Sequence, residues 1–466
     1  MFRFMIAAFL LLSAAAASAA EPSDATLGYQ AYLDRLSAAL PELGSNEIDL
    51  ATAKNDVTAS KSAGNAALSL GGKTGSTTQY SDPGGTKGDI AESSLSAALS
   101  KKIVSTGTTV EASGSYYRDA YSSFGASDST TYKPAVSVKV TQPLLYNFLG
   151  KIDRFTERDA KAKLDIAAIR LSENNKSTLN AYKKLFFQWE SSRRILRSSE
   201  DSIVNAQLLS SQVERNYRAG LAEDYTYQQT VTSVLSYRGI RQQKQTALST
   251  VEKQLAVYID SEKLTPDGND FSGWYKAALD ESYSPVPFAS TESAKILELT
   301  LARCTDAADV YKNALLPELD VYGSATKKDR SSGAAVSGLP DTDYAIGFSM
   351  SYKLGNDAAQ AQYESALLQQ KSILLERRAT ENSYRKSLAQ IQETAAGKKA
   401  LIKNKEETLK ALELQLASQR KKYGQGRLGI SDVITTENSI DSAKIELISL
   451  QYDLIANYID YKDLVK

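Results

Sequence analysis

The stretch AVSVKVTQPLLYNFLGKIDRFTERDAKAKLDIAAIRL, residues 135–171, holds two patterns back to back. In the first, Val136, Val138 and Val140 alternate with Ser137, Lys139 and Thr141, the period of a two-faced strand. Beyond Gln142-Pro143-Leu144-Leu145 the apolar period lengthens to that of a helix, and a charged helical pattern runs on for roughly sixty residues. From Phe155 to Tyr217, at ~1.5 Å per residue, such a helix measures about 90 Å, several times the thickness of a bilayer core. It cannot be the interior of a compact domain.

The junction occurs twice. VSVKVTQPLLYNF (136–148) has a partner in AIGFSMSYKLGND (345–357), where Ile346, Phe348, Met350 and Tyr352 share one face and Gly347, Ser349, Ser351 and Lys353 the other. A second pair of anchors, ERNYRAGLAEDYTY (214–227) and RKKYGQGRLGISDV (420–433), sets Tyr217 against Tyr423 and Gly220 against Gly426, a period of roughly 208 residues that marks a duplicated half. Each half reads strands, long helix, Tyr-x-x-Gly break, further helix. Leu164, Ala168, Leu171, Asn175, Thr178, Tyr182, Leu185 and Trp189 step by four and three along the first helix, and Leu196, Ile203, Ser210 and Tyr217 continue at sevens. Near the C-terminus Ile440, Leu447, Leu454 and Tyr461 mark one seam and Ile445, Ile448, Tyr452, Ile455 and Ile459 another beside it. A helix with two adjacent seams touches neighbours on both sides, as in the wall of a tube; a simple coiled-coil rod or bundle has the same periodicity.

Composition narrows the chemistry. Lys plus Arg equals Asp plus Glu at 55 each, so the sustained basic field of a nucleic-acid binder is absent. With no histidine in 466 residues, Ser-His-Asp triads and most transition-metal sites are excluded. Acid pairs such as Glu406-Glu407 sit among lysines on a solvated helix face, no nucleophile can be placed beside a base, and neither enzyme activity nor a cofactor is expected. Arg3, the apolar run Met5–Leu12 and ASAA before Glu21 read as an export signal. Cys304 is the only cysteine, so an exported chain must be stable without an internal disulfide. No later segment approaches the roughly twenty apolar residues of a spanning helix, so any membrane crossing falls to strands.

The stretches 134–143 and 343–354 are close to the ~9 to 11 residues that a tilted strand needs to cross an outer membrane. Their partners are ELDVYGSAT (318–326), with Leu319 and Val321 in step, and NAALSLGG (65–72), with Ala66, Leu68 and Leu70 on one side. The Gly-, Ser-, Thr- and Asp-rich segments 73–92, 119–131 and 327–342 are expected to be solvated outer loops. SSLSAALSKK (93–102), a turn at Ser105-Thr106-Gly107 and TTVEASGSYY (108–117) resemble an added hairpin, which either enters the sheet and raises the count to six strands or folds over a rim. A lipid-exposed sheet cannot leave an edge unpaired, and four to six strands are too few to close around water, so several identical subunits must share one barrel. The expected organisation is a signal peptide at 1–20, a helical segment at 21–63, first strands at 64–145 and a long-helix half at 146–260. An irregular collar and short helix follow at 261–313, then a second strand hairpin at 314–355 and a second long-helix half at 356–466.

These residues, with VTQPLL, YRAGLAEDYTYQQT, LLPELDVYGSA, YGQGRLGISDVITTENSI and YDLIANYIDYKDLV in that order, resemble the TolC-like outer membrane efflux proteins. The resemblance implies a mainly α fold with membrane β, a homotrimer sharing one outer-membrane β-barrel continued by a periplasmic α-helical barrel. It implies a passive exit duct of a tripartite efflux or type I secretion system. The implied partners are a periplasmic adaptor, an inner-membrane transporter and outer-membrane lipid, with no nucleic acid. Aligned on Tyr423 and Gly426, the family's first constricting acid falls on Asp432 and its second on Thr435; in the first half the matching position is Thr226, with Asp224 displaced by two. The gate arginine falls on Leu428, with Arg427 adjacent, so the implied gate is Tyr423, Arg427 and Asp432. Tyr217, Gly220 and Gly426 belong to the tip turns touched by the adaptor. A ring of carboxylates at a narrow waist attracts cations. Asp432 also reads as a helix N-cap, with Glu437 later. The competing reading of the whole chain is a secreted or periplasmic coiled-coil scaffold or adhesin with soluble strands, because the aromatic girdle of Tyr132, Tyr146, Phe148, Tyr322, Tyr344 and Tyr352 is modest.

Overall fold

A computed structural model of the chain describes residues 25–81, 86–123, 129–259, 264–332 and 339–465. The expected signal peptide lies outside the described residues. Two compact units emerge among the described residues, one within 25–41, 179–283 and 391–462, the other within 42–178, 284–390 and 463–465. The two longest elements are divided between them: α3 (Lys151–Arg218) and α7 (Asp357–Gly424), each a helix of 68 residues.

The second unit carries the sheet. Its strands β2 (Ala66–Ser81), β3 (Thr86–Ile103), β4 (Thr108–Ser123), β5 (Ser129–Pro143), β7 (Glu318–Lys328) and β8 (Asp341–Ser351) lie in that spatial order, every neighbour antiparallel. Residues directly opposite in such a ladder share a face. One row of partners runs Leu68, Leu99, Ala112, Val138, Ala325, Tyr344 across all six strands. The adjacent row on the other face runs Ser69, Ala98, Ser113, Ser137, Thr326, Asp343. The alternation read from the sequence is therefore one coherent apolar face and one polar face, kept in register over the whole sheet.

One expectation is corrected here and one open alternative is resolved. Among the described residues, segments 73–92 and 119–131 are largely strand, not loop, because β2, β3, β4 and β5 run 16, 18, 16 and 15 residues; in 327–342 β7 stops at Lys328 and β8 starts at Asp341, as a loop there requires. Backbone pairing does not need apolar side chains, and past the apolar rows polar cross-strand pairs replace them. Thr74 and Ser93 bring their hydroxyl oxygens within 3.2 Å, Thr78 donates to Asp89 at 2.7 Å, and Lys133 pairs with Asp119 at 2.5 Å. The inserted hairpin 93–117 enters the sheet as parts of β3 and β4, so one chain supplies six strands. Its turn is anchored from below. A Cβ on Gly150 (φ +62) would overlap the Val104 carbonyl, and Gln142 donates to the Thr106 carbonyl at 3.0 Å while accepting from Thr108.

The 261–313 region is also more regular than expected. Leu264–Pro266 (β6) pairs in parallel with Ala25–Leu27 (β1), and α5 (Gly268–Asp280) follows, capped by Asp267, whose Oδ1 accepts from Asn269 N at 2.9 Å. Asp270 carboxylate in turn accepts the Tyr29 amide at 2.6 Å. The helix α6 (Glu292–Asn313) starts at Thr291, which caps Ala294 N. The side-chain caps at Asp267 and Thr291 are what start these two helices.

The first unit is built around aromatic side chains. Tyr32, Phe186, Phe187, Trp189 and Phe271 are fully buried. Ring centroids stand 5.2 Å apart for Tyr29 and Phe187, and for Phe187 and Trp274. Both seams of α8 (Ile430–Val465) are used: Ile440, Leu454 and Tyr461 are buried from one, Ile455 and Ile459 from the other.

Candidate functional site

The sequence singles out two regions, the Tyr-x-x-Gly turns and the exposed sheet face. At the first turn α3 ends in a Schellman motif: Leu221 N donates to Asn216 O at 2.7 Å and Gly220 N to Tyr217 O at 2.9 Å, with Gly220 at φ +70. The second turn repeats it. Arg427 N donates to Lys422 O and Gly426 N to Tyr423 O, both at 2.9 Å, with Gly426 at φ +69. A positive φ favours glycine, which accounts for the same spacing in both halves. Tyr217 stacks on Tyr227 of α4 (Asp224–Ala256), centroids 5.6 Å apart and planes 9° from parallel.

Around the second turn a small apolar cluster forms from Leu209, Val213, Ile430 and Val433, with Tyr423 and Leu428 packed against it. Burial pushes the Tyr423 phenol up, so it stays neutral at physiological pH. Leu428, on which the resemblance would set an arginine, is a packing residue. Arg427 is exposed and lies outside this cluster. Asp432 is exposed in the first turn of α8. The helix starts at Ile430, so Asp432 is its third residue and not its N-cap; a carboxylate there still complements the positive end of the helix. Tyr423 is therefore brought into a packed cluster, while Asp432 and Arg427 both face solvent.

Beside Asp432 lies an open groove of ≈ 430 Å³ between α4 and α8, whose lining includes Tyr225, Gln228, Thr232, Ser431, Thr435 and Asn438. All of its lining side chains are uncharged. Sequence reasoning missed the ion pair that closes the turn: Arg420 donates to Glu437 at 2.7 Å, and Glu437 is buried. The signal was available, since in two antiparallel helices residues roughly equidistant from the turn face each other.

The apolar sheet face is open among the described residues. Leu68, Leu70, Leu95, Val136, Phe348 and Met350 are exposed, and Ile346 is 89% exposed. Buried apolar side chains normally fill such a face. Farther along it the row changes to Thr74, Ser93, Arg118 and Tyr132, which bounds the apolar band. On the polar face Lys139 stands 4.8 Å from the centroid of Tyr322, and a Cβ on Gly347 would meet the Tyr322 hydroxyl at 2.6 Å. Among the described residues no helix is long and apolar enough to cross a membrane, and no group of three or more His, Cys, Asp or Glu could hold a metal ion.

Residues 295–460 match the profile of the family described as outer membrane efflux protein. No curated protein sequence matches the chain. Among solved structures, the outer membrane protein VceC of Vibrio cholerae is 13% identical with a TM-score of 0.63, covering 94% of this chain and 96% of its own. CusC is likewise 13% identical with a TM-score of 0.63, over 94% and 91%. The open state of the Neisseria gonorrhoeae MtrE outer membrane channel gives 12% identity and a TM-score of 0.61, over 96% and 93%. At these identities the likeness is one of fold.

Proposed function

We propose that this chain, a TolC-like outer membrane efflux protein in its residues 295–460 and of that channel fold along its length, is a passive outer-membrane exit duct working as a homotrimer. The observation that carries the reading is the six-stranded sheet with one continuous exposed apolar face and two unpaired edges. In lipid such edges must be paired, and neighbouring copies supply the partners. Three copies of six strands make an eighteen-stranded barrel, in the range that leaves an aqueous channel. The polar face of serine, glycine, lysine and tyrosine then lines water. The fold's long helices continue the conduit on the periplasmic side, where an adaptor and an inner-membrane pump would meet the Tyr217, Gly220 and Gly426 turns. Catalysis plays no part.

At the tip, a single ring of Asp432 stands next to uncharged Thr435, with Tyr423 packed behind it. One carboxylate per subunit makes a mildly cation-attracting waist. In planar bilayers the purified protein should conduct, prefer cations and be partly blocked by divalent ions, and Asp432→Ala should weaken that block severalfold. Absence of conductance from folded preparations, or a soluble monomer obtained without detergent, would replace this reading with the secreted scaffold.

A further inference from the structure

Both strand-to-helix elbows of the sheet-bearing unit present a leucine to solvent immediately before a glycine of positive φ. In the first, Leu149 is 48% exposed and itself has φ 51, followed by Gly150 at φ +62. In the second, Leu354 is 90% exposed, followed by Gly355 at φ +69. A left-handed backbone is unusual for leucine and is held here by the surroundings. Asn147 Oδ1 accepts Ile152 N at 2.9 Å, Asn147 Nδ2 donates to Asp153 at 2.7 Å, and Lys102 donates to the other Asp153 oxygen at 2.8 Å. This network fixes the chain so that an apolar side chain points away from the protein. The same outcome is reached twice from unrelated local sequence.

The elbows continue the apolar face. Leu144 N donates to Leu319 O at 2.8 Å, carrying the ladder one step past β5, and Leu144, Leu145 and Phe148 beyond it are exposed. In the second half Tyr352 and Leu354 extend the alternation of Ile346, Phe348 and Met350. A cation adjoins each leucine: Lys151 follows Gly150, and exposed Lys353 precedes Leu354, with Asp357 as its acidic neighbour at the start of α7. Lys353 and Tyr352 also line a groove of ≈ 240 Å³ with Tyr146, Leu316 and Asn356. Apolar side chains bordered by lysine and tyrosine match the boundary between acyl chains and phosphate headgroups.

We infer that the two Leu-Gly elbows form a phospholipid-anchoring collar at the periplasmic edge of the barrel, Leu149 and Leu354 inserting among acyl chains while Lys151 and Lys353 engage headgroup phosphates. The inference rests on the reading of the sheet as a membrane barrel. It extends the lipid contact beyond the strands to the first turn of the helices, which fixes the depth of the duct.

The test uses single labelling sites in a Cys304→Ala background of the full chain, carrying a polarity-sensitive thiol dye and reconstituted into phosphatidylcholine vesicles. Leu354→Cys and Leu149→Cys are the probes, with Phe348→Cys at mid-sheet and Leu221→Cys at the helix turn as references. Lipids brominated near the headgroup should quench the dye at 354 and 149 at least twofold more than at 221. Quenching there by aqueous iodide, or by neither agent because a neighbouring copy covers the site, overturns the collar. If 348 is quenched by brominated lipid and the elbows are not, the collar alone fails. If 348 is also unquenched, the barrel reading fails with it. Should Leu149→Cys not fold, Leu354→Cys decides alone.

Discussion

In the first half α3 leaves its strand through Asn147-Phe148-Leu149-Gly150, over the turn of an inserted hairpin; in the second, α7 leaves through Lys353-Leu354-Gly355, where a Cβ on the glycine would meet nothing within 4 Å. Both then run 68 residues to a Schellman turn closed by a glycine near φ +70. Between these shared ends the halves diverge. Four strands stand against two, and in the register that sets Tyr217 against Tyr423, Trp189 falls on Ala395, both buried. Backbone geometry at the turns is shared because glycine adopts the left-handed conformation at the least cost, while the side chains and even the strand count differ. The inserted β3 and β4 have no helix of their own beneath them. Their turn is supported by the elbow instead, and the first elbow is correspondingly more crowded than the second.

That contrast can be broken experimentally. Gly150→Ala adds a methyl group into the Val104 carbonyl as well as straining the backbone, and it should prevent assembly of the trimer proposed above, read as loss of the heat-modifiable band in detergent. Gly355→Ala meets nothing within 4 Å and should cost only the backbone conformation, about 1–2 kcal/mol, leaving assembly intact. Equal effects at the two sites would remove the supporting role given to the first elbow. A smaller difference is expected within the long helices. Trp189, which donates to Glu252 at 3.3 Å and packs 6.4 Å from Phe186, should lose about 3–5 kcal/mol on Trp189→Ala, measured as a fall in the denaturant midpoint. Ala395 shows that the second half fills the matching position with almost no side chain.

The smallest effect is at the C-terminal end of α8, where Lys462 pairs with Glu281 at 2.8 Å; the equivalent position in the first half, Ala256, is where α4 stops. The hydrogen bond from Lys462 holds the Glu281 carboxyl below its ordinary range, and the same bond holds the Lys462 ammonium above its own. The Glu281 contribution is therefore present above the ordinary carboxylate pKa, about 4.3, and is lost as pH falls through the lowered value. The Lys462 contribution is present below about 10.4 and is lost as pH rises through the raised value. Both groups are partly solvated, so Glu281→Gln should cost only about 0–1 kcal/mol near neutrality and flatten the acid limb of the stability profile.

Much of this was legible in order along the chain. The period of two at Val136–Val140, the long 3.5-residue pattern after Pro143 and the repeated Tyr-x-x-Gly gave the strand, the helix and the turns, because each is a local geometry written in neighbouring residues. The absence of histidine and the balanced charge removed whole classes of chemistry. Three things could not be read this way. Strand ends at 73–92 looked like loops because polar strands lack the apolar signal, although their backbones pair. The caps at Asp267 and Thr291 start two helices in the region expected to hold an irregular collar and one short helix. Leu428 packs against a cluster that draws Leu209 and Val213 from far away in the chain. The sequence by itself determined the periodicities, the breaks and the duplication. Which residues meet across the turn, whether the inserted hairpin joins the sheet and how crowded each elbow is were decided only in the tertiary structure, because those depend on distances between segments far apart in the chain.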